Sequence, residues 1–313
     1  MSAAARVSPK DYFTTEEWAR LSHHSSWRGL ALVAHCWAMI FAAGAMAVVW
    51  PITLPIAVMI IGTRQLGLAI LMHDAAHGAL HPNLKVNDWV AEWICSGGVA
   101  PYRAYHLQHH KFAQQAEDPD LGLSAPFPIT RQSLRRKIVR DLTGQTFFKQ
   151  HFGPLIGKLR ARKPGQGAWP IIAAEARRKR RFLIGNGLGL LVMSLASLVW
   201  PPLWWAWFGL WLLPLATWYP MVTRLRNIAE HACVAKDEAD PLRHARTTLA
   251  SAAERLFIAP YYVNYHCEHH MFMHVPCYNL PRVHRMLAGK GVTEGMLVER
   301  GYLRVLDLAA SAG

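Results

Sequence analysis

Apolar residues in this chain gather into long uncharged runs separated by polar stretches, and those runs set the expected architecture. Residues 1–29 are polar and mixed. Thr14-Thr15-Glu16-Glu17 has the S/T-x-x-E form of a capping box and predicts a short helix, either on an ordinary surface or with Tyr12, Phe13 and Trp18 at a lipid interface. Leu30 to Trp50 is long enough to cross a bilayer as a helix, Pro51 marks a turn, and Ile52 to Met72 predicts a second span. This second run contains Arg64 and Gln65. A charge at that depth must face the bundle interior, as a substrate contact or as glue between helices. Phe182 to Trp200 and Leu203 to Val222 predict a second hairpin around Pro201-Pro202. Trp200, Trp204, Trp205, Trp207 and Trp211 cluster near that turn, as an interfacial aromatic belt does. Val86 to Val99 is shorter, carries Asp88 and Glu92, and reads as a re-entrant or interfacial helix.

The expected fold class is therefore an all-α integral membrane protein. Four transmembrane helices form two hairpins, with spans near 30–50, 52–72, 182–200 and 203–222. Residues 1–29 form an N-terminal segment, and 30–313 form a single membrane domain. No cleavable signal peptide is expected, because the first apolar run starts late and lacks a small-residue cleavage site.

Composition agrees: 52% of the 313 residues are hydrophobic and only 17% are charged, which is apolar for a soluble protein. The formal net charge is +14, and its placement decides what it means. Lys and Arg are in excess over residues 73–181, which close with Arg177-Arg178-Lys179-Arg180-Arg181 directly before a membrane run. Neither hairpin turn carries Lys or Arg, whereas both flanks do. The positive-inside rule then places both termini, 73–181 and 223–313 in the cytoplasm, as in a bacterial inner-membrane protein. Nucleic-acid binding is excluded as an expectation, because the basic run has no recognisable binding module around it. The same charges suit an acidic partner or lipid headgroups. The five cysteines form no CxxC pair and read as single reduced thiols.

Histidine spacing carries the chemistry. His106-Leu107-Gln108-His109-His110 and His266-Cys267-Glu268-His269-His270 each place imidazoles at i, i+3 and i+4, and His73-Asp74-Ala75-Ala76-His77 adds an i, i+4 pair. On a helix those offsets share one face, so each set is expected to converge on one point. The topology brings all three to the cytoplasmic mouth of the bundle. Eight imidazoles exceed what one ion holds, so two metals are implied. Zinc is not excluded by counting, but a nitrogen-rich open site between membrane helices suits O₂ activation by iron. The pattern lacks the Glu-x-x-His pairs of soluble di-iron bundles. Asp74, Glu268 and Asp118 are instead placed to accept hydrogen bonds from ligand imidazoles and so orient them. His81 and His274 precede loop signals and read as structural or as supports behind the ligands, and His23, His24, His35, His151, His244 and His284 as ordinary.

HDAAH, HLQHH and HCEHH on four expected spans resemble the membrane fatty acid desaturase and hydroxylase superfamily, over most of residues 50–285. His110 followed by Asp118-Pro119-Asp120 resembles the family's second box. Asn227-Ile228-Ala229-Glu230-His231 resembles its N-x-x-x-H feature after the last span. The resemblance implies that His231 is a ninth ligand and that Asn227 holds a metal-bound water. It implies a cytoplasmic helical cap with a di-iron site (Fe2+/Fe3+), held by His73, His77, His106, His109, His110, His231, His266, His269 and His270. It implies an O₂-dependent oxidoreductase that inserts a double bond into a lipid acyl chain, fed by an external ferredoxin, rubredoxin or cytochrome-type donor. A lipid or carotenoid hydroxylase or ketolase would use the same site. A membrane metal transporter is disfavoured, because its ligands would lie at mid-membrane rather than at the cytoplasmic mouth.

Overall fold

A computed structural model describes residues 6–311 apart from 125, 164 and 239. In chain order the helices are α1 (Thr15–Leu21), α2 (Arg28–Val49), α3 (Leu54–Ala76), α4 (Leu84–Trp93), α5 (Val99–Lys111), α6 (Leu121–Ser124), α7 (Arg131–Leu142), α8 (Gln145–Arg160), α9 (Trp169–Arg178), α10 (Arg180–Val199), α11 (Leu213–Ala216), α12 (Trp218–His231), α13 (Ala252–Phe257), α14 (His266–Met271), α15 (Leu280–Gly289) and α16 (Tyr302–Ala309). The chain folds as two compact units, residues 1–40, 63–135 and 222–313 in one, and 41–62 and 136–221 in the other.

Among the described residues three helices are long and apolar enough to cross a membrane: Arg28–Val49, Pro51–Ala76 (the turn Pro51–Thr53 with α3) and Arg180–Val199. The run expected as a fourth span, 203–222, is not one helix. It divides into a 3₁₀ turn Pro201–Trp205, a π-helical stretch Trp207–Leu212, α11 and the start of α12. Pro214 lacks the amide that would pair with a carbonyl one turn back, and Thr217 (φ −120°, ψ −71°) leaves the helical region. A Cβ on Gly189 of α10 would stand 2.2 Å from the Trp207 ring, so the glycine lets that indole seat against the helix.

In the first unit the capping box forms as read: Thr14 Oγ1 accepts from Glu17 N at 3.2 Å, and Glu17 Oε2 accepts from Thr14 N at 2.9 Å. Phe13 is buried, and it and Trp18 both pack on Phe272, each with ring centroids 5.4 Å apart, so α1 is tied to the C-terminal region. Cys36 Sγ lies 3.2 Å from the Arg64 carbonyl, so α2 and α3 lie side by side at that level. Arg64 is buried and serves as glue between helices, one of the two roles its position allowed. Its Nη2 donates to the carbonyls of Arg255 (3.1 Å) and Leu256 (2.9 Å), and Thr63 Oγ1 donates to Phe257 O at 2.6 Å. These are the last carbonyls of α13, which have no intrahelical partner and carry the negative end of the helix dipole.

The fold is mostly, not wholly, helical. β1 (Arg246–Leu249) pairs in parallel with β2 (Leu297–Arg300), in the register Arg246↔Leu297 to Leu249↔Arg300. Thr247 also bridges Tyr265, the residue before α14, so this short ladder fixes where α14 begins.

Candidate metal centre

Four chain segments bring nine imidazoles together. The helix α3 runs past the expected end of its span to Ala76 and carries His73 in its last turn. His77 N–H then bonds Asp74 O at 3.1 Å, and Gly78 (φ +73°) takes the left-handed conformation that ends the turn. Helix α5 supplies His106, His109 and His110, α12 ends on His231, and α14 supplies His266, His269 and His270. All are buried except His270, which is half-buried.

The nitrogens sort into two groups, with the atoms of each within 4.8 Å of one another: His73, His77, His106, His110 and His269 in one, and His109, His231, His266 and His270 in the other. The convergence of each H-x-x-H-H on one point therefore needs correction. Each set sends its i, i+4 pair to one group and its i+3 imidazole to the other. At roughly 100° per residue, i and i+4 diverge by only about 40°, whereas i+3 and i+4 diverge by about 100° and look to opposite sides. The two helices cross-supply the two groups.

Within the groups His110 Nε2 lies 2.9 Å from His106 Nε2 and 3.0 Å from His269 Nε2. His266 Nε2 lies 2.9 Å from His231 Nε2 and 3.2 Å from His270 Nε2, and His270 Nε2 lies 3.3 Å from His109 Nε2. Two nitrogens bound at about 2.1 Å to one ion at right angles stand about 3.0 Å apart, so this spacing fits a shared ion. His73 Nε2 and both ring nitrogens of His77 are buried without a hydrogen-bond partner. A buried polar atom left unpaired is costly, which is the mark of an atom shaped for a ligand. The donor set therefore fits two metal ions.

Electrostatics agree. Burial, followed by neighbouring charges, pushes His77 down to about 3. Burial and then nearby imidazoles hold His106, His110, His231, His266, His269 and His270 well below the usual histidine range. Such imidazoles are neutral at physiological pH, the state that keeps a lone pair for a metal.

The three expected carboxylates do different things. Asp118 Oδ1 lies 2.8 Å from His109 Nδ1 and also accepts the backbone N–H of Asp120, while its other oxygen accepts Gln114 N. Asp74 accepts the backbone N–H of Cys277 at 3.2 Å, so it ties α3 to the chain beyond α14 and bonds no imidazole of the site. Glu268 is fully buried, accepts the Thr247 hydroxyl, and lies 2.5 Å from His284 Nδ1. On a helix, Glu268 points away from the face its histidine neighbours share, which is why it meets His284 instead.

Two residues here escaped the sequence reading. Glu230 Oε1 stands 3.5 Å from His266 Nδ1 and accepts Arg226 Nε at 2.6 Å. Burial pushes the Glu230 carboxyl up to about 7, against the opposing charge of Arg226. The i, i+4 pair Arg226–Glu230 ending beside a histidine was the available signal. His284, read as ordinary, holds Glu268. Asn227 sits one turn before His231 on α12, half-buried. His274 Nδ1 meets His77 O at 3.2 Å, and His81 Nδ1 turns back to Asn83 N at 3.0 Å, so neither joins a group.

The sequence profile described as "Fatty acid desaturase" matches residues 49–298, which includes every one of these histidines. The chain belongs to the fatty acid desaturase family. Its histidine groups are able to hold metal, and among the described residues three helices are long and apolar enough to cross a membrane. It is similar to the sn-1 oleoyl-lipid 12-desaturase of Arthrospira platensis, 31% identical over 67 residues, which is 20% of this chain and 19% of that protein's length.

Proposed function

We propose that this desaturase-family protein is an O₂-dependent di-iron enzyme that inserts a double bond into a lipid acyl chain. The observation that carries the reading is the division of nine imidazoles, eight buried and one half-buried, into two groups at metal-ligand spacing. We assign His73, His77, His106, His110 and His269 to one iron, and His109, His231, His266 and His270 to the other, with Asn227 acting through a water. When bound, the iron pair would supply the reductive activation of O₂ that removes two hydrogens from an unactivated C–H pair. The balance is one alkyl segment, O₂, two electrons and two protons giving one alkene and two waters, so an external donor of ferredoxin, rubredoxin or cytochrome type is required.

The chain's own residues keep that chemistry in place. His77, His106, His110, His231, His266, His269 and His270 stay neutral because they are buried together. Asp118 holds the His109 ring at its Nδ1, and the Asp74–Cys277 contact fixes the end of α3 against the segment after α14. The topology we favour is a single membrane domain with four spans in two hairpins, the fourth broken as described, and both termini in the cytoplasm of a bacterial inner membrane. Bare hairpin turns and basic flanks support that orientation. The name of the Arthrospira platensis relative favours desaturation over hydroxylation.

Expression with a reductase system in a bacterium lacking desaturases tests the reaction. Lipid mass spectrometry should find a product lighter than its parent by two hydrogens. A product heavier by one oxygen, with nothing lighter, would make the enzyme a hydroxylase.

A further inference from the structure

The two imidazole groups differ in what stands behind their rings. In the group of four, His109 and His266 meet their neighbours through Nε2: His109 Nε2 lies 3.3 Å from His270 Nε2, and His266 Nε2 lies 2.9 Å from His231 Nε2. Their other nitrogens face carboxylates. His109 Nδ1 has Asp118 Oδ1 at 2.8 Å and Asp120 Oδ2 at 3.8 Å, and His266 Nδ1 has Glu230 Oε1 at 3.5 Å. The group of five is bare by comparison. His77 Nδ1 and His110 Nδ1 are buried without a hydrogen-bond partner. Among the described residues, the carboxylates at ion-pair distance from an imidazole meet His109, His266 and His284, and none meets a ring of the group of five.

Local structure puts these carboxylates where they are. Helix α5 ends at Lys111, and Gln114 takes the left-handed conformation (φ +62°) that turns the chain back on the helix end. Asp118 N then bonds Gln115 O at 3.0 Å. The Asp118 carboxylate accepts Gln114 N at 2.9 Å on one oxygen and Asp120 N at 2.8 Å on the other, which leaves Oδ1 facing His109. Glu230 precedes His231 on α12, and a step of about 100° turns it away from that ring. Arg226, one turn earlier, donates from Nε to Glu230 Oε1 at 2.6 Å and so holds the same oxygen that faces His266. Asp118 and Glu230 are both buried.

A carboxylate on Nδ1 keeps the ring proton there, leaves the lone pair on Nε2, fixes the ring's orientation and makes the imidazole a stronger donor. It also brings negative charge toward a buried dication, which neutral imidazoles alone leave uncompensated. Ligand number by itself would rank five imidazoles above four. The loss of one such partner costs about 10–100-fold in metal affinity, and the group of four has two rings supported in this way. Asp118 meets only N–H donors of the backbone besides His109, so its charge is offset less than that of Glu230, which Arg226 shares. We propose that Asp118 and Glu230 are positioning residues that make the group of four the tighter metal site, so that the two ions are held unequally and the group of five empties first. The inference rests on the two-iron reading above and adds to it an order of retention.

The test is retention of iron, read without turnover. The full-length, iron-loaded protein in detergent is equilibrated with rising concentrations of an iron chelator, and bound iron is measured at each. The wild type should lose its two irons in two steps. H110A/H269A leaves the group of four intact, and its iron should withstand at least about tenfold more chelator than the iron of H109A/H270A, which leaves the group of five. Added to H110A/H269A, D118N or E230Q should lower iron affinity by about 10–100-fold, and the same changes in H109A/H270A should leave it unchanged. That selectivity separates positioning from a general loss of structure, which would weaken iron binding in both backgrounds. E230D, which keeps the charge, should restore part of the affinity lost in E230Q. If D118N fails to fold in either background, E230Q and E230D carry the comparison. Release of both irons in a single step, the reverse order of retention in the two double variants, or equal weakening in both backgrounds overturns the proposal. Two-step release from a protein that oxidises no lipid would sink the proposed reaction and leave the unequal sites standing, so the two failures are distinguishable.

Discussion

His109 and His110 are adjacent on α5, yet they serve different groups: His109 Nε2 lies 3.3 Å from His270, and His110 Nε2 lies 3.0 Å from His269. On α14 the partners His269 and His270 are adjacent too, and they divide in the same way. A helix can do this only because neighbouring residues point about 100° apart.

That division makes double variants informative. H109A/H270A removes two imidazoles from one group, and H110A/H269A two from the other, so each should keep one iron per chain and lose turnover. H109A/H110A and H269A/H270A strip ligands from both groups and should retain little iron. Iron analysis after anaerobic purification checks this. Equal iron loss in all four variants would contradict the assignment of ligands to groups.

Asp118 and Asp74 should separate by mechanism. Asp118→Asn loosens the His109 ring and should lower metal affinity or activity by about 10–100-fold, the usual effect of losing a partner of a ligand imidazole. Asp74→Asn touches no ligand ring, and its cost should appear in thermal stability first. Competition with an iron chelator and thermal unfolding in detergent read the two effects. A variant of Asp74 that loses iron as readily as one of Asp118, at unchanged stability, would contradict the contacts described.

His284 and Glu268 should behave as a coupled pair. His284→Ala leaves a fully buried carboxylate with only the Thr247 hydroxyl, which should cost about 1–3 kcal/mol of stability. E268Q/H284A should cost less than the sum of the single changes, because the second change removes a partner already lost. Additive losses would show that the two side chains do not interact.

Much of the candidate site was legible in the chain, because helical spacing alone places residues four apart on one face. His73 and His77, or His106 and His110, needed nothing more. Which group each imidazole joins was not legible, since it depends on how α5 and α14 face each other. Glu268 looked equivalent to Asp118 in sequence. Its partners come from distant positions: the bridge from β1 to Tyr265 brings Thr247 to it, and α15 brings His284. The two nearer spans followed from apolar length, with α3 running a turn further than Met72 because His73, Asp74 and Ala75 continue the helix. The stretch after Pro201 misled for a local reason: Pro214 and the Thr217 break lie inside an otherwise span-like run.

The orientation is tested by labelling. Cysteines introduced at Pro51 and Pro201 should react with an impermeant reagent in intact cells, and one at Gly165 should not. The opposite pattern would put the imidazole groups on the side away from a cytoplasmic electron donor.

The most direct test of the account is the metal itself. The wild-type chain, purified anaerobically from iron-replete cells, should contain two irons, and X-ray absorption at the iron edge should show an imidazole-dominated nitrogen shell. Two zincs in reproducible stoichiometry, with lipid oxidation indifferent to iron, would contradict it.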